Sequence, residues 1–501
     1  MIILLILSFL PKAAEDHILV KFMDAKAESS IVNAVNTKIL KRHSFGYTRL
    51  SLPKGMEVKK FLKVIKKRSN VMDAIPDYIY HATWVPSDSF YVYQWNFRKF
   101  IHLEDAWEIS RGGEKSIIVA IIDTGCSYEE YDIPYYERGK VSGSKYHIYS
   151  DYNPTSFVQG YDFVNDDSHP NDNMGHGTHI SGTIAEATDN LIGLAGIAFN
   201  VKIMPVKVLD NTGSGYLSDI VDGIKYATDH GAKVINLSLG ANQPAQMLED
   251  AINYAYNNNV VIVAAAGNDG NLNVNYPAKY DGAIAVAAYD STGSKASYSN
   301  AGTEIEIAGP GGNYDEATQT PVGGVIWQQV FLPYNENSGA YANLDSVGYF
   351  GYVGTSQATA HVSALAALIL SVNPGLTNKE VRTIIDNTAQ DIGSPGKDIF
   401  YGYGRPNFYR ALLAAQTIKN YRGLSDIVTL DNTISGTGNF KVTLDSNYVS
   451  DVRITAYDIA GRYINHWQLP FKVSINISLP HTGVFFIKSD RGKAIKLLVV
   501  K

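Results

Sequence analysis

Three short stretches, far apart in the chain, carry side chains whose chemistry is complementary. Ile121-Ile122-Asp123-Thr124-Gly125 sets a carboxylate at the end of an apolar run, followed by a turn glycine. Gly175-His176-Gly177-Thr178-His179-Ile180-Ser181-Gly182 flanks a histidine with glycines where a helix is expected to begin. Gly354-Thr355-Ser356-Gln357-Ala358-Thr359-Ala360-His361-Val362 opens a long apolar helix through Leu370, which puts the Ser356 hydroxyl at the positive end of the helix dipole. Each stretch has a plainer use on its own. An Asp or Ser at such a place commonly caps a helix, and two nearby histidines suggest a metal, although their i, i+3 spacing with no Glu between them fails the His-Glu-x-x-His zinc pattern. Together they are the parts of an activated nucleophile: the alcohol attacks, the imidazole takes its proton, and the carboxylate holds the imidazole tautomer. Ala265-Ala266-Gly267-Asn268 adds a side-chain amide able to donate to an oxyanion.

Such groups need a rigid frame, and the chain from about Trp95 to Ala415 supplies the pattern for one. Ile117–Ile122, Val201–Val208, Val234–Leu239, Val260–Ala266 and Ala283–Ala287 are continuous apolar runs, as strands covered on both faces require. They alternate with helix candidates Leu217–His230 and Met247–Asn258, the latter ending in an Asn run suited to a C-cap. The fold class predicted is α/β, with a doubly wound, mainly parallel sheet flanked by helices. In such sheets functional groups gather at strand C-termini and helix N-termini. A smaller segment precedes it, with strands expected at Ile18–Phe22, Tyr47–Leu52 and Ala74–Tyr80 and a helix at Glu57–Lys67. After it, strand-like stretches Val452–Tyr457, Gly483–Lys488 and Ala494–Val500 predict a small C-terminal β-sandwich with no helix of its own. The domains expected are a signal peptide at 1–14, a small α+β domain at 15–85, the large domain at 86–418 and the sandwich at 425–501.

Composition bounds the function class. The formal charge of −6 argues against nucleic acid as a partner. Basic residues concentrate early, at Lys59, Lys60, Lys63, Lys66, Lys67 and Arg68, so one part of the chain can dock on another, or else this is a solvated helix face. Cys126 is the single cysteine, which excludes an intramolecular disulfide; following an apolar strand, it reads as a packed core residue. The apolar run Ile2–Leu10 is too short to span a bilayer and suits a signal peptide, although no Lys or Arg precedes it and Pro11-Lys12-Ala13-Ala14 is not a clean cleavage site. The expected location is secreted or cell-surface, with no membrane span.

The segment from Trp95 to Ala415 resembles the subtilisin family of serine peptidases. The order Asp, His, Ser is that family's own, and Val234-Ile235-Asn236-Leu237-Ser238-Leu239-Gly240 and Tyr403-Gly404-Arg405-Pro406-Asn407 add to the match. The resemblance implies a serine endopeptidase with Asp123, His176 and Ser356 as its triad and Asn268 as oxyanion donor. Ser238, Leu239 and Gly240 would pair with the substrate backbone as an added strand, with Ala265 and Gly267 also lining the substrate site. It further implies structural calcium held by oxygen ligands, for which Asp88, Asp132, Asn190, Ile192 and Leu194 match one site, while Asp162, Asp166, Asp167 and Asp172 offer another. Tyr276-Pro277 resembles a position carrying a cis peptide bond. Gln357 and Ala360 stand where the family usually has Met and Pro, and the loop from Asn313 to Tyr352 is longer than in its simplest members.

His17–His81 resembles the inhibitor-type propeptide of that family, through Ile18-Leu19-Val20-Lys21-Phe22 and Ile75-Pro76-Asp77-Tyr78-Ile79-Tyr80. This implies a zymogen inhibited by its own propeptide and processed between His81 and Phe90. Tyr457-Asp458-Ile459-Ala460-Gly461-Arg462, Gly483-Val484-Phe485-Phe486-Ile487-Lys488 with Gly492-Lys493-Ala494-Ile495, and Val499-Val500-Lys501 resemble the C-terminal sorting domain of the type IX secretion system, and so imply a secretion machinery as a partner. Two rivals compete with the peptidase reading. An adhesion or binding protein that has lost activity would not need the intact catalytic residues, and an α/β-hydrolase esterase would need Gly-x-Ser-x-Gly where Ser356 is followed by Gln357-Ala358.

Overall fold

A computed structural model describes residues 13–53, 55–78, 84–149, 151–153, 156–315, 320, 321, 323–333 and 341–422, together with seven strands between 428 and 500. The chain divides into two units, Met1–Thr83 and Trp84–Lys501. The apolar run Ile2–Leu10, the Ile79-Tyr80 end of the propeptide match and His81 lie outside the described residues.

In the first unit, alternating burial builds a four-stranded antiparallel sheet with two helices. Its strands are β1 (Ala13–Phe22), β2 (Ile39–Arg42), β3 (Tyr47–Ser51) and β4 (Val71–Tyr78), in the order β2-β3-β1-β4. Helix α1 (Ala25–Ala34) starts at Asp24, whose carboxylate accepts the Ala27 N–H at 2.7 Å, and α2 is Val58–Ile65. Ile18, Val20, Leu50, Phe61, Ile65 and Ala74 are fully buried between sheet and helices. The lysines of α2 face solvent. Three strands were expected; β2 is the fourth, and its Leu40, Lys41 and Arg42 are all exposed, so it carries no apolar alternation to read.

Short helices α3 (Trp95–Arg98) and α4 (Leu103–Trp107) lead into β5 (Ile118–Asp123), the centre of the second unit. Around it run β8 (Tyr161–Asp162), β9 (Lys202–Lys207), β10 (Val234–Leu237), β11 (Val261–Ala265), β12 (Ala283–Tyr289) and β13 (Ile307–Pro310), all parallel, in the order β13-β12-β11-β10-β5-β9-β8. The continuous apolar runs are explained by burial on both faces. Val119, Ile121 and Val263 point into one core with α5 (His176–Ala185), α8 (Thr355–Val372), α9 (Asn378–Thr388) and α10 (Phe408–Arg422). Ala120, Ile122 and Ile262 point into the other, with α6 (Leu217–Asp229) and α7 (Gln246–Asn257). Asn259, just past α7, takes a left-handed backbone with φ of 63°, as the Asn run suggested. Helix α8 is long and apolar enough to cross a membrane, yet every residue of it is buried, so it is a core helix. The strand order reverses on either side of β5, and a crevice at the carboxyl ends of the strands is expected at such a point. Asp123 ends β5.

Two insertions enlarge this frame. The first carries the two-residue strands β6 (Tyr131–Asp132) and β7 (Lys145–Tyr146). The second, the long segment expected as a loop, contains the pair β14 (Tyr314–Asp315) and β15 (Thr320–Pro321) and the hairpin β16 (Ile326–Leu332) and β17 (Asn343–Tyr352). Cys126, Tyr146, Tyr149, Val330, Phe331 and Leu344 pack where the two insertions meet. Burial pushes the Cys126 thiol up to about 12, as befits an inert core residue. Beyond α10, β18 (Val428–Asp431), β19 (Asn439–Leu444) and β22 (Ile475–Ser478) form one antiparallel sheet, and β20 (Val452–Asp458), β21 (Tyr463–Leu469), β23 (Gly483–Ser489) and β24 (Ile495–Val500) a second, with no helix among the described residues there. Of the sorting-domain match, residues 459–462, 492–494 and 501 lie outside the described residues.

Candidate active site

Asp123 is fully buried at the end of β5, and its Oδ1 accepts the N–H of Thr124 at 2.8 Å and that of His176 Nδ1 at 2.7 Å. It orients an imidazole rather than capping a helix. Donation from Nδ1 leaves Nε2 as the basic nitrogen. The link is reinforced one residue on, where the Gly177 N–H donates to Thr124 Oγ1 at 2.9 Å. Only glycine fits at 177, because a Cβ there would sit 2.1 Å from the Gly125 carbonyl oxygen. Asp172 holds the other side of the turn. Its Oδ1 accepts the N–H groups of Met174 and Gly175, and its Oδ2 accepts the N–H and hydroxyl of Thr178, so this buried carboxylate caps α5 and is fully engaged. Burial by itself lowers the His176 pKa, but the charge and hydrogen bond of Asp123, with the charge of Asp172, outweigh it and leave the pKa raised.

The second histidine of the motif is of another kind. His179 is fully buried, stacked on Tyr352 with centroids 4.3 Å apart, and its Nε2 lies 2.9 Å from the Ile326 carbonyl. Burial pushes its pKa down to about 3, so the ring is neutral.

Ser356 is the second residue of α8, not its cap. Its hydroxyl donates to the Ser238 carbonyl at 3.1 Å, and the Ser238 hydroxyl donates to the Ser356 carbonyl at 3.0 Å. Behind them Asn236 accepts from Ser363 at 2.9 Å and donates to the Ser238 hydroxyl at 2.9 Å, tying α8 to β10. Asn268 follows β11, beyond Ala265 and Gly267. Its Oδ1 accepts both the N–H and the hydroxyl of Thr355 at 2.9 Å. With the carbonyl end held, the Nδ2 donors face the other way, and a Cβ built on Gly354 would lie 3.6 Å from Nδ2. The N–H of Ser356 lies in the first turn of α8, where backbone donors have no intrahelical partner. The Asn268 amide and the Ser356 N–H are thus the donors of this corner of a type able to stabilise an oxyanion. Gly267 has φ of 107° and leaves no room for a Cβ, which would meet Asn300 Nδ2 at 2.3 Å. Sequence reasoning missed Thr355 and Asn236, although both lie inside stretches it singled out.

A cleft of about 590 Å³ opens at this end of the sheet, lined by His176, Leu209, Ser238, Leu239, Gly240 and Tyr276 among others. Ala241 exchanges backbone hydrogen bonds with Tyr276 at 2.9 and 2.8 Å, so the 238–241 segment is already extended. The Tyr276-Pro277 bond is cis.

Of the residues expected to hold a cation, Asp88, Asn190 and Leu194 come together, around Asp151. Asp151 Oδ1 accepts from Asn190 Nδ2 at 2.8 Å and its Oδ2 from the Leu194 N–H at 3.0 Å, while Asp88 Oδ2 accepts the Asp189 N–H at 2.7 Å and Asp88 Oδ1 has no partner. Ile192 joins through its N–H, which donates to Asn190 Oδ1 at 2.8 Å. Burial, with the charge of Asp88, pushes Asp151 up to about 7, and burial, with the charge of Asp189, raises Asp88 as well. Two neighbouring buried carboxylates, one with an oxygen left without a partner, are ligands of the kind a hard cation takes, although here they face N–H donors. Asp132 is not part of the group. It lies exposed on β6, paired with Lys145 of β7, because the first insertion carries it to the surface and Asp151 closes the stretch instead. Asp162, Asp166 and Asp167 are likewise engaged locally, with Asn165, Tyr161, Tyr136 and His169. No cluster of three or more His, Cys, Asp or Glu able to hold a metal occurs among the described residues.

Comparison with known proteins gives the family. The subtilase family model matches residues 114–404, and the fervidolysin N-terminal prodomain model matches residues 11–77. The thermophilic serine proteinase of Bacillus sp. strain AK1 is 37% identical over 366 residues, covering 73% of this chain and 78% of that protein. Thermitase of Thermoactinomyces vulgaris is 36% identical over 329 residues, 66% of this chain and 99% of its own length. Among solved structures, a protease of Pseudoalteromonas arctica PAMC 21717 aligns with a TM-score of 0.54 and 30% identity, covering 67% of this chain and 100% of that one. Asp123, His176, Ser356 and Asn268 all lie within the matched region, and the chain belongs to the subtilase family of serine endopeptidases, with a fervidolysin-type prodomain ahead of the enzyme.

Proposed function

We propose that Ser356 is the nucleophile, His176 the general base and acid, Asp123 the group that orients His176, and Asn268 the side-chain donor to the tetrahedral oxyanion. The Ser356 hydroxyl turns from the Ser238 carbonyl to His176 Nε2 and loses its proton there as the oxygen attacks the peptide carbonyl. The imidazolium, stabilised by Asp123, passes that proton to the leaving amine, and water releases the acyl group by the same route. The substrate lies along Ser238, Leu239 and Gly240 as an added strand, with Ala265 and Gly267 beside the scissile bond. The observation that supports this reading is the 2.7 Å bond between buried Asp123 and His176, together with a serine hydroxyl and an asparagine amide each held by its own hydrogen bonds.

The chain is made as a precursor that cuts itself between His81 and Phe90, its prodomain acting as an intramolecular inhibitor until then. It then acts outside the cell on extended polypeptides, and the C-terminal strands serve as a sorting domain for a secretion machinery. Asp88, Asp151 and Asn190, with carbonyls of the 190–194 loop, would hold calcium, which when bound neutralises the two buried carboxylates. The test is Ser356→Ala in the full-length precursor: it should remain uncleaved and inactive on casein. Normal maturation of that variant, with no other protease present, would refute the assignment and favour a binding protein of peptidase fold.

A further inference from the structure

Lys207 ends β9 with only 1% of its surface exposed, the one lysine or arginine among the buried residues described. A hydrophobic side chain would end a buried strand with no desolvation cost, whereas an ammonium must be satisfied where it lies. Lys207 spends its three donors on three separate segments. Nζ donates to the Thr124 carbonyl at 2.7 Å, to Asn173 Oδ1 at 2.8 Å and to the Leu209 carbonyl at 3.0 Å. Thr124 follows Asp123 and receives the Gly177 N–H on its hydroxyl. Asn173 lies in the turn that delivers His176, and its Nδ2 donates in turn to buried Glu137 at 2.9 Å. Leu209 lines the substrate cleft, and its own N–H returns to the Asp123 carbonyl at 3.1 Å. Thr124 and Leu209 line the cleft and Lys207 does not, so Lys207 acts on substrate only through them. Its three hydrogen-bond partners are all neutral oxygens, while the carboxylates of Asp162 and Asp210 are near enough to feel its charge.

We propose that Lys207 is a positioning residue that fixes the Asp123–His176 register and couples it to the Leu209 wall of the cleft. This rests on the reading of Asp123, His176 and Ser356 as the catalytic row. The test is Lys207→Met, which keeps the aliphatic stem and removes the ammonium, in the full-length precursor matured and counted by titration with a sulfonyl fluoride. A displacement of about 1 Å at such a site costs up to roughly a hundredfold, so kcat should fall ten- to a hundredfold, and the rate of serine sulfonylation should fall with it while KM changes less than threefold. A residue that only supports the fold would lower Tm and the titratable fraction but leave kcat per active site and the sulfonylation rate within twofold of the parent, and that result would overturn the proposal. If Lys207→Met does not mature, Asn173→Leu, which removes one of the three acceptors, should show the same pattern at smaller size, and unchanged kcat there would overturn it equally. Ser356→Ala run alongside separates the two failures: an active Ser356→Ala sinks the catalytic assignment, whereas an inert Ser356→Ala with parental kinetics in Lys207→Met sinks only the role of Lys207.

Discussion

In the proposed mechanism Asn268 can donate to the oxyanion only if its amide is held the right way round, and the group that holds it is Thr355. Both the N–H and the hydroxyl of Thr355 reach Asn268 Oδ1 at 2.9 Å, and the same hydroxyl accepts the Gly267 N–H at 3.3 Å. Thr355→Val keeps the shape and the backbone donor and deletes the hydroxyl. One neutral hydrogen bond is worth about 1 kcal/mol, so kcat on a chromogenic peptide should fall about fivefold with KM nearly constant, because the bond matters when charge develops on the oxygen. Asn268→Leu removes the donor outright and should cost roughly a hundred- to a thousandfold in kcat, a range measured on subtilisin itself. The decisive measurement is the double variant. Since Thr355 acts through Asn268, Thr355→Val should cost nothing further once Asn268 is leucine. If the two losses multiply, Thr355 acts on the reaction by some other route and the positioning argument fails.

Three further outcomes follow from the geometry. The His176 pKa is raised above its ordinary 6.5 by the Asp123 charge and hydrogen bond against the pull of burial, so kcat/KM should climb with pH through a limb above 6.5, and Asp123→Asn should move that limb downward and lower kcat by roughly 10⁴. The same shift makes the pair's stabilising contribution complete below the unfolded histidine's pKa and lost as pH rises through the folded value, which a Tm series from pH 5 to 9 on Ser356→Ala will show as a decline on the alkaline side. Calcium at a hundredfold over its Kd should add about 2.7 kcal/mol, roughly 5 °C of Tm; a chelator should abolish this gain, as should Asp151→Asn, whereas Asp132→Asn should leave it intact.

The candidate catalytic residues stood out because each sits in a local signal: a carboxylate ending an apolar run, a histidine between glycines, a serine heading an apolar helix. The parallel sheet was legible for the same reason, since double burial writes itself as unbroken β-branched runs. What could not be read is whatever depends on a contact between distant segments. Thr355 stood inside a quoted motif, but its partner is 87 residues away. Asp132 was implied by the family resemblance, but it lies exposed on β6, and it is Asp151 that feels the charge of Asp88. Lys207 did leave a trace, a cation closing the run Ile203-Met204-Pro205-Val206 that Lys202 opens, yet a mismatch in a pattern does not say what it touches. Strand β2 left none, being an exposed edge.

The resting contact of Ser356 bears on how the site works. Its hydroxyl is bound to the Ser238 carbonyl, on the same extended segment along which a substrate strand would lie. Turning to His176 gives up one hydrogen bond, about 1 kcal/mol, and so slows attack by no more than about fivefold. Removing the serine or the histidine of subtilisin costs roughly 10⁶ in kcat. The resting contact is therefore too weak to act as a lock, and if the precursor is silent the restraint must come from occupation of the cleft and not from the nucleophile's own hydrogen bond.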